Sequence, residues 1–242
     1  LGQTVDSYRD PSLPPPASDD PDESQFPSLL RAIATRVPGL RRLRYTSPHP
    51  RHATAALAAA HAELDVLAHH VHMPVQSGSD RMLKRMIRRY TRAEYTERVR
   101  RLLATRPDMT ISTDVIVGFP GETEQDFQAT LDLVRDIGFV GLFGFKYSPR
   151  PFTPALKLAD DVPEAEKSER LARLFEVAEA QTRAHLATLV GTRQEVLVEG
   201  PGKTPKSWEG RTARNEIVHV DGRPAEGRGL AGEVVEVEIR QA

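Results

Sequence analysis

The chain has 242 residues, 39% of them hydrophobic and 28% charged, the composition of a folded protein with one large domain or a large and a small one. It contains no cysteine, so its own side chains can form no disulfide, no thiolate metal site and no iron–sulfur cluster. Its 33 basic and 34 acidic residues nearly cancel, so net charge gives no sign of a nucleic-acid partner and only local patches can.

Helices and strands are predicted to alternate from residue 26 to residue 190, after a Pro-, Ser- and Asp-rich loop at 11–27. The predicted elements are a helix at 26–37, a strand at 40–46, a helix at 53–66, a strand at 69–76, a helix at 79–105 broken near Tyr90, a strand at 110–119, a helix at 123–138, a strand at 139–147 and a helix at 163–190. This alternation predicts parallel strands joined by crossover helices, in an α/β sheet or barrel. Ligands of such folds bind at the C-terminal ends of the strands.

A small all-β module is predicted after Gly191, where short strand-like runs are separated by Gly- and Pro-containing turns. Its predicted strands lie at 195–199, 209–212, 217–220 and 234–239. The sequence therefore divides into a core at 1–190 and a module at 191–242.

Neither a membrane span nor a signal peptide is expected, because no apolar run reaches about eighteen residues and the N-terminus lacks a charged-then-apolar order. The expected location is the cytoplasm. The chain begins with Leu1 rather than Met, which indicates a fragment of a longer protein.

The segment 111–123 predicts a strand, a glycine turn and a capped helix. Gly118 and the Pro120–Gly121 turn follow the strand, and Thr123 with Asp126 can cap the next helix. A glycine at that edge lets the flat ring of a ligand approach the backbone. An ordinary tight turn between a strand and a helix explains the pattern equally well.

Two histidines and a serine-rich turn mark the segment 70–80. Strand alternation places His70 and His72 on one face, while Gln76, Ser77 and Ser79 offer hydrogen-bonding groups where the strand ends. The histidines could bind a metal ion, but no third ligand is evident and a polar barrel interior is the simpler interpretation.

Polar loops after two further predicted strands are expected at the same edge. One offers Ser47, His49 and Arg51, and the other offers Lys146 and Arg150. Each could contact a substrate, or could be a loop shaped by its prolines. Their convergence at one end of the sheet is the stronger signal of a site.

The C-terminal module mixes cations with an aromatic side chain, as RNA-binding surfaces do. The candidate RNA contacts are Lys203, Lys206, Trp208, Arg211, Arg214 and Asn215. Another basic stretch, at 81–92, could contact phosphates or be a solvated helix face. Because residues 191–242 hold eight basic and nine acidic side chains, any basic footprint there is local.

Five segments together resemble the successive signatures of the MiaB family of radical SAM methylthiotransferases. They are Leu1 to Tyr8 (LGQTVDSY), Tyr45 to Pro50 (YTSPHP), Met73 to Arg81 (MPVQSGSDR), Asp114 to Thr123 (DVIVGFPGET) and Tyr147 to Pro151 (YSPRP). The final module resembles a TRAM domain, most recognisably at Glu209 to Thr212 (EGRT) and Asn215. Members of this family add a methylthio group to the isopentenylated adenosine beside the tRNA anticodon.

The resemblance implies a partial (β/α) barrel that lacks its first strands, binds S-adenosylmethionine (SAM) and is followed by the TRAM module. It also implies two 4Fe–4S clusters in the intact protein, held by cysteines that precede the segment matching Leu1. This chain would ligate neither cluster, so no catalytic side chain is assigned to it and the chain alone is expected to be inactive. The implied partner is a tRNA anticodon stem-loop, and the protein is expected to be a monomer with no membrane contact.

SAM contacts are implied at the positions that match the family's motifs. Gly2 and Gln3 would lie near the methionine part, Gln76, Ser77 and Ser79 near the ribose, and Val117, Gly118 and Glu122 near the adenine and the barrel mouth. Thr4 and Asp6 replace asparagines that are usual in the family, and Phe152 replaces a glycine. Alternatives are a sister enzyme acting on threonylcarbamoyl-adenosine in tRNA or on a ribosomal-protein aspartate, and a non-catalytic RNA-binding fragment.

Overall fold

A computed structural model describes residues 4–204, 207–221 and 229–242. Its elements follow the predicted order. They are α1 (Phe26–Arg36), α2 (Ala55–Glu63), β1 (His70–His72), α3 (Asp80–Arg85), α4 (Arg92–Leu103), β2 (Thr110–Val117), α5 (Glu124–Ile137), β3 (Gly141–Lys146), α6 (Glu164–Ala187), β4 (Arg193–Pro201), β5 (Ser207–Arg211), β6 (Ile217–Asp221) and β7 (Val234–Glu238).

The first sheet is parallel, with strand order β1–β2–β3, which confirms the predicted α/β class. The segment predicted as a strand at 40–46 forms a single isolated bridge, between Leu43 and Leu67, and is not a strand of the sheet. That prediction was wrong in its extent. The side chains of Arg42 and Arg44 in this segment donate hydrogen bonds to the C-terminal module.

The main core lies between the sheet and helices α4, α5 and α6. One face of β2 contributes Ile111, Val115 and Val117, all almost fully buried, and α5 contributes Phe127 and Leu131 against them. Burial of side chains of this size stabilises a fold by about 1.5–3 kcal/mol each. The core thus lies between the helices and one face of the sheet, and the helices do not cover the other face.

Helix α5 begins and ends where the sequence predicts. Thr123 and Asp126 form a reciprocal capping box at its start, and Gly138 ends it in the left-handed conformation, with φ of 73°. A cap of this kind fixes the direction in which the preceding turn, 118–122, enters the helix.

The C-terminal module is an antiparallel sheet of order β6–β5–β4–β7. Val196 and Val198 of β4 are its buried side chains, and a bulge lies between Val198 and Gly200. The module contacts the first sheet directly, since the His69 amide donates to the Ala213 carbonyl at 3.0 Å. The predicted boundary near Val190 falls between the end of α6 and the start of β4, and the division into two domains stays a prediction.

The longest described helix, α6, carries charged residues along its length. Across the three described ranges, no helix combines the length and apolar composition that crossing a membrane requires.

Candidate functional site

Gln76 lies at the C-terminal end of the first strand, where the parallel sheet presents its ligand-binding edge. Its backbone continues the pairing beyond β1, donating to the Asp114 carbonyl at 2.8 Å and accepting from the Ile116 amide at 2.9 Å. It does so with φ of 72°, a conformation that is rare for a residue with a side chain. Within residues 4–204 the Gln76 side-chain amide has no hydrogen-bond partner. It is therefore a polar group available to a ligand.

Ser77 and Ser79 have their hydroxyl groups directed into the protein. The Ser77 hydroxyl lies 3.3 Å from the Thr130 hydroxyl, and Ser79 donates to Asp126 Oδ1 at 2.6 Å. Ser79 also caps α3 by accepting from the Met82 amide. Both hydroxyls thus stabilise the turn after Gln76. Their contact with a ribose stays a prediction.

Asp126 anchors this turn to the basic helix α3. Burial opposes ionisation of Asp126, but hydrogen bonds from Arg81, Ser79 and Thr123 outweigh it and lower the pKa of the carboxyl. Arg81 also donates to the Gly121 carbonyl at 2.5 Å, and Arg85 donates to the Pro120 carbonyl at 3.0 Å. Two cations of the basic stretch therefore hold the turn 118–122 in place.

The space above Gly118 is filled by the protein itself. Gly118 has φ of 68°, and a Cβ there would overlap the Lys167 side chain. Lys167 comes from α6 and is nearly buried, with its ammonium 2.7 and 2.8 Å from the two carboxylate oxygens of Asp160. The glycine is thus required by an approaching lysine chain, where the sequence suggested the ring of a ligand.

Glu122 forms a buried ion pair. Its Oε2 accepts from Arg170 Nη1 at 2.8 Å and from the Gly118 amide at 2.7 Å. Burial raises the pKa of this carboxyl, against the opposing effects of the Gly118 amide and of Arg170. Val117, next to this turn, is also fully buried. Contacts of Val117, Gly118 and Glu122 with adenine stay predictions. In the structure these residues pack and hydrogen-bond within the protein, and so stabilise the turn that follows β2.

The face of the sheet turned away from the helices is polar. His70 Nε2 and His72 Nδ1 lie 2.9 and 2.8 Å from the Ser112 hydroxyl, and His72 Nε2 lies 3.1 Å from Asp114 Oδ1. Burial first, and then the nearby Arg44 charge, lower the pKa of His70 to about 4. In the described residues no group of three or more His, Asp or Glu side chains is arranged to hold a metal ion. Both histidines thus hydrogen-bond to other polar side chains of this face.

Two exposed aromatic side chains share this face, and the sequence did not indicate them. Phe143 pairs in register with Asp114, and its ring lies 5.7 Å from that of His72. Phe143 and Phe145 are 59% and 51% exposed. Their orientation follows from the position of Gly144 between them, because Gly144 lies against Leu171 and other apolar side chains of α6 and alternate residues of a strand face opposite ways. We call the inner face the set His70, His72, Ser112, Asp114, Phe143 and Phe145.

The loop containing Ser47, His49 and Arg51 lies near the same edge. Tyr90 links the two, because its hydroxyl donates to the Val75 carbonyl at 3.0 Å and its ring centre lies 5.6 Å from that of His49. Burial, followed by the Arg88 charge, lowers the pKa of His49 to about 4. Arg51 pairs with Asp22, which also pairs with Arg98, and Ser47 is half-buried with φ of 50°.

The loop after β3 is only partly at this edge. Lys146 turns away, since its ammonium pairs with Glu164 of α6. Arg150 is exposed, and Phe152 at the loop tip is fully exposed with φ of 65°. Of the two predicted substrate contacts, Arg150 alone faces solvent here without an ion pair in the described residues.

Three of the six predicted RNA contacts of the C-terminal module lie instead at its junction with the core. Asn215 accepts from Arg44, and the Arg211 carbonyl accepts from Arg42 at 2.9 Å. Arg214 is 2.9 Å from Glu216, which also accepts from His185 of α6. These contacts join the module to the core.

Lys203 and Trp208 are placed differently from the junction residues. Lys203 is exposed and Trp208 is half-buried on β5, so both remain accessible. Gly2, Gln3 and Lys206, also predicted as contacts, lie outside the described residues.

Two family matches cover separate parts of the chain. Residues 17–134 match the radical SAM superfamily, and residues 187–242 match the TRAM domain. A solved structure, titled as the radical SAM enzyme coproporphyrinogen III oxidase (HemN) from Escherichia coli, superposes with a TM-score of 0.52. It is 16% identical, and the match covers 65% of this chain and 37% of that one. That likeness supports the fold alone.

Curated relatives match along the whole chain. The chain is 65% identical over 254 residues to the tRNA-2-methylthio-N(6)-dimethylallyladenosine synthase of Sorangium cellulosum, covering 100% of this chain and 51% of the relative. It is 45% identical to the synthase of the same name from Neisseria meningitidis serogroup B, covering 100% and 52%. The chain spans about half the length of these relatives. Along its whole length the chain is similar to these synthases, and it matches a radical SAM region followed by a TRAM domain.

Proposed function

We propose that this chain is part of a radical SAM methylthiotransferase that modifies C2 of N6-dimethylallyladenosine beside the tRNA anticodon. The observation that carries the proposal is the 65% identity, across the entire chain, to a synthase named for this product. The polar C-terminal edge of a parallel sheet is the place where such a fold binds its ligands, which agrees with the proposal.

The edge of the sheet suits SAM. The Gln76 amide is available for a polar group, and the turn 77–79 that supports it is held by Thr130 and Asp126. We propose that Gln76 contacts the ribose, and that Val117, Gly118 and Glu122 maintain the shape of the adjacent wall. When bound, SAM supplies the methyl group and the oxidising radical of the reaction, while the protein orients the substrate and excludes water.

Iron–sulfur clusters do not fit the residues of this chain. Cluster irons are held by cysteine thiolates, and the chain has no cysteine. We propose that the cluster ligands come from sequence outside the chain, and that the chain alone is inactive. Its own contribution would be the SAM-binding edge and the surface that binds tRNA.

For tRNA binding we propose Lys203 and Trp208 of the TRAM module, with Arg150 near the edge of the sheet. All three have accessible side chains, and cations with aromatic rings suit RNA. Lys206 completes the proposed tRNA contacts, while Gly2 and Gln3 are proposed to contact the methionine part of SAM. We further propose that the protein acts in the cytoplasm as a monomer.

The test joins this chain to the part of the Sorangium cellulosum relative that the match does not cover. The fusion is expressed in a bacterium that lacks its own synthase, and tRNA nucleosides are measured by mass spectrometry. Appearance of 2-methylthio-N6-dimethylallyladenosine supports the proposal, and the chain without the added half should give none. A soluble, cluster-loaded fusion that leaves this nucleoside absent overturns it. Methylthiolation of threonylcarbamoyl-adenosine would instead identify the sister activity.

A further inference from the structure

A continuous hydrogen-bonded chain crosses the inner face from β1 to β2. His72 bridges Asp114 and Ser112, at 3.1 and 2.8 Å, and Ser112 lies 2.9 Å from His70 Nε2. The other ring nitrogen of His70 lies 3.0 Å from the Thr110 hydroxyl. None of these groups contributes to the apolar core, and no element of the described chain covers Phe143 and Phe145 beside them.

The last member of this chain fixes the direction of one hydrogen bond. A carboxylate can only accept, so His72 must donate to Asp114 from Nε2. The chain therefore ends on Asp114 with one oxygen engaged by His72. The side chain of Asp114 is 27% exposed, which leaves acceptor capacity facing the open side.

An apolar platform adjoins this acceptor. Asp114 of β2 pairs in register with Phe143 of β3, and Ile116 pairs with Phe145. Since neighbouring strands are about 4.8 Å apart, both rings of β3 lie next to the carboxylate of β2. Exposed aromatic rings beside a fixed hydrogen-bond acceptor suit a flat ring that carries an N–H group and an apolar substituent.

We propose that the inner face is the site for the substrate base, with Asp114 accepting from the N6–H of N6-dimethylallyladenine, and Phe143 and Phe145 packing on the dimethylallyl group. This inference rests on the proposed function and adds the residues that select the base. An anionic threonylcarbamoyl substituent is disfavoured at the same place, because its carboxylate would lie close to Asp114 over two apolar rings.

Anticodon stem-loop RNAs that differ only at the adenosine beside the anticodon test the proposal with the full chain. The adenosine is unmodified, N6-dimethylallylated, or N6-dimethylallylated and N6-methylated, which removes the N–H. We expect the dimethylallylated RNA to bind about tenfold more tightly than each of the other two.

Two substitutions address the two parts of the site. In Asp114→Asn the amide oxygen is expected to turn toward the His72 N–H, which leaves an NH2 group facing the base and removes the preference for the N–H-bearing RNA. Phe143→Ala should reduce the preference for the dimethylallyl group. The matched controls are Asp108→Asn, which alters an exposed His69–Asp108 pair at the other end of β2, and Phe152→Ala, which removes an exposed loop ring. Thermal unfolding confirms that each variant is folded.

The possible outcomes distinguish a failure of this inference from a failure of the proposed function. Equal binding of all three RNAs, or a preference unchanged in Asp114→Asn and Phe143→Ala, overturns the inference while leaving RNA binding intact. A loss of SAM affinity in these variants with the RNA preference retained would assign the face to the cofactor and also overturn it. If no stem-loop binds, the proposed function of the chain fails as well.

Discussion

Arg170 of α6 and Glu122, just before α5, form an ion pair in which the two side chains are only 2% and 1% exposed. The distance from Arg170 Nη1 to Glu122 Oε2 is 2.8 Å, and the same nitrogen donates to the Glu122 carbonyl at 3.1 Å. The pair ties the longest helix to the turn that follows β2. The position of the turn 118–122 at the edge of the sheet is therefore fixed by a helix that packs on the face opposite the inner face.

Arg170→Met should reduce the free energy of unfolding by about 3–5 kcal/mol, because it leaves the Glu122 carboxylate buried without its cation. Urea unfolding followed by circular dichroism measures the loss. Arg173→Met is the control, since Arg173 is 34% exposed and pairs with Glu124 at the surface. A loss below about 1 kcal/mol for Arg170→Met would mean that Glu122 is not charged in the folded protein.

Gly78→Ala should destabilise the turn after Gln76. A Cβ at Gly78 would stand 2.5 Å from the Ala129 carbonyl oxygen, which belongs to the backbone of α5 and cannot rotate away. Overpacking of this kind costs about 1–3 kcal/mol. Gly200→Ala is the comparison, since nothing lies within 4 Å of its added Cβ. We expect the Tm to fall in the first variant and to change little in the second.

Asp6 predicts a pH dependence of stability. It is fully buried, and burial raises its pKa to about 6 from the ordinary 3.8, against the effect of the His49 amide that donates to it. A raised pKa means that the folded state binds the proton more tightly. The stabilisation is therefore complete below about pH 4 and is lost as the pH rises to about 6.

Asp6→Asn removes the charge and should remove this dependence. The variant is expected to exceed the wild type in unfolding free energy by about 2–3 kcal/mol at pH 7, and to match it near pH 4. Chemical unfolding across that pH range measures both, with the exposed Asp19→Asn as control. Parallel pH profiles for wild type and Asp6→Asn would show that Asp6 does not titrate in this window.

Lys203 and Arg214 should respond differently in RNA binding, although both are cations of the same module. Lys203→Ala is expected to weaken stem-loop binding severalfold and to lower the salt slope by about one, as loss of a phosphate contact does. Arg214 is 12% exposed and pairs with Glu216, so Arg214→Ala should lower the Tm and leave the slope unchanged. Binding measured at several salt concentrations distinguishes the two, and equal slopes for all proteins would contradict the proposed role of Lys203.

Local patterns in the sequence predicted the elements well. The capping box of Thr123 and Asp126, the left-handed Gly138 and the apolar spacing of α5 all depend on residues within a few positions of one another, and the structure has them. The parallel sheet also followed, because alternation of helices and strands leaves few topologies open. The strand at 40–46 was overestimated, since only Leu43 of this segment forms a bridge in the structure, and the pairing of a segment depends on distant residues.

The sequence by itself determined the α/β class, the all-β module and the likeness to radical SAM and TRAM sequences, since periodicity, caps and motifs are properties of neighbouring residues. The tertiary structure decided what each polar side chain does. Lys167 fills the space over Gly118, Arg170 neutralises Glu122, and Asn215 faces Arg44 across a junction. Such partners come from distant segments of the chain and are brought together by packing. A local sequence pattern therefore cannot show which side chain will hydrogen-bond to which.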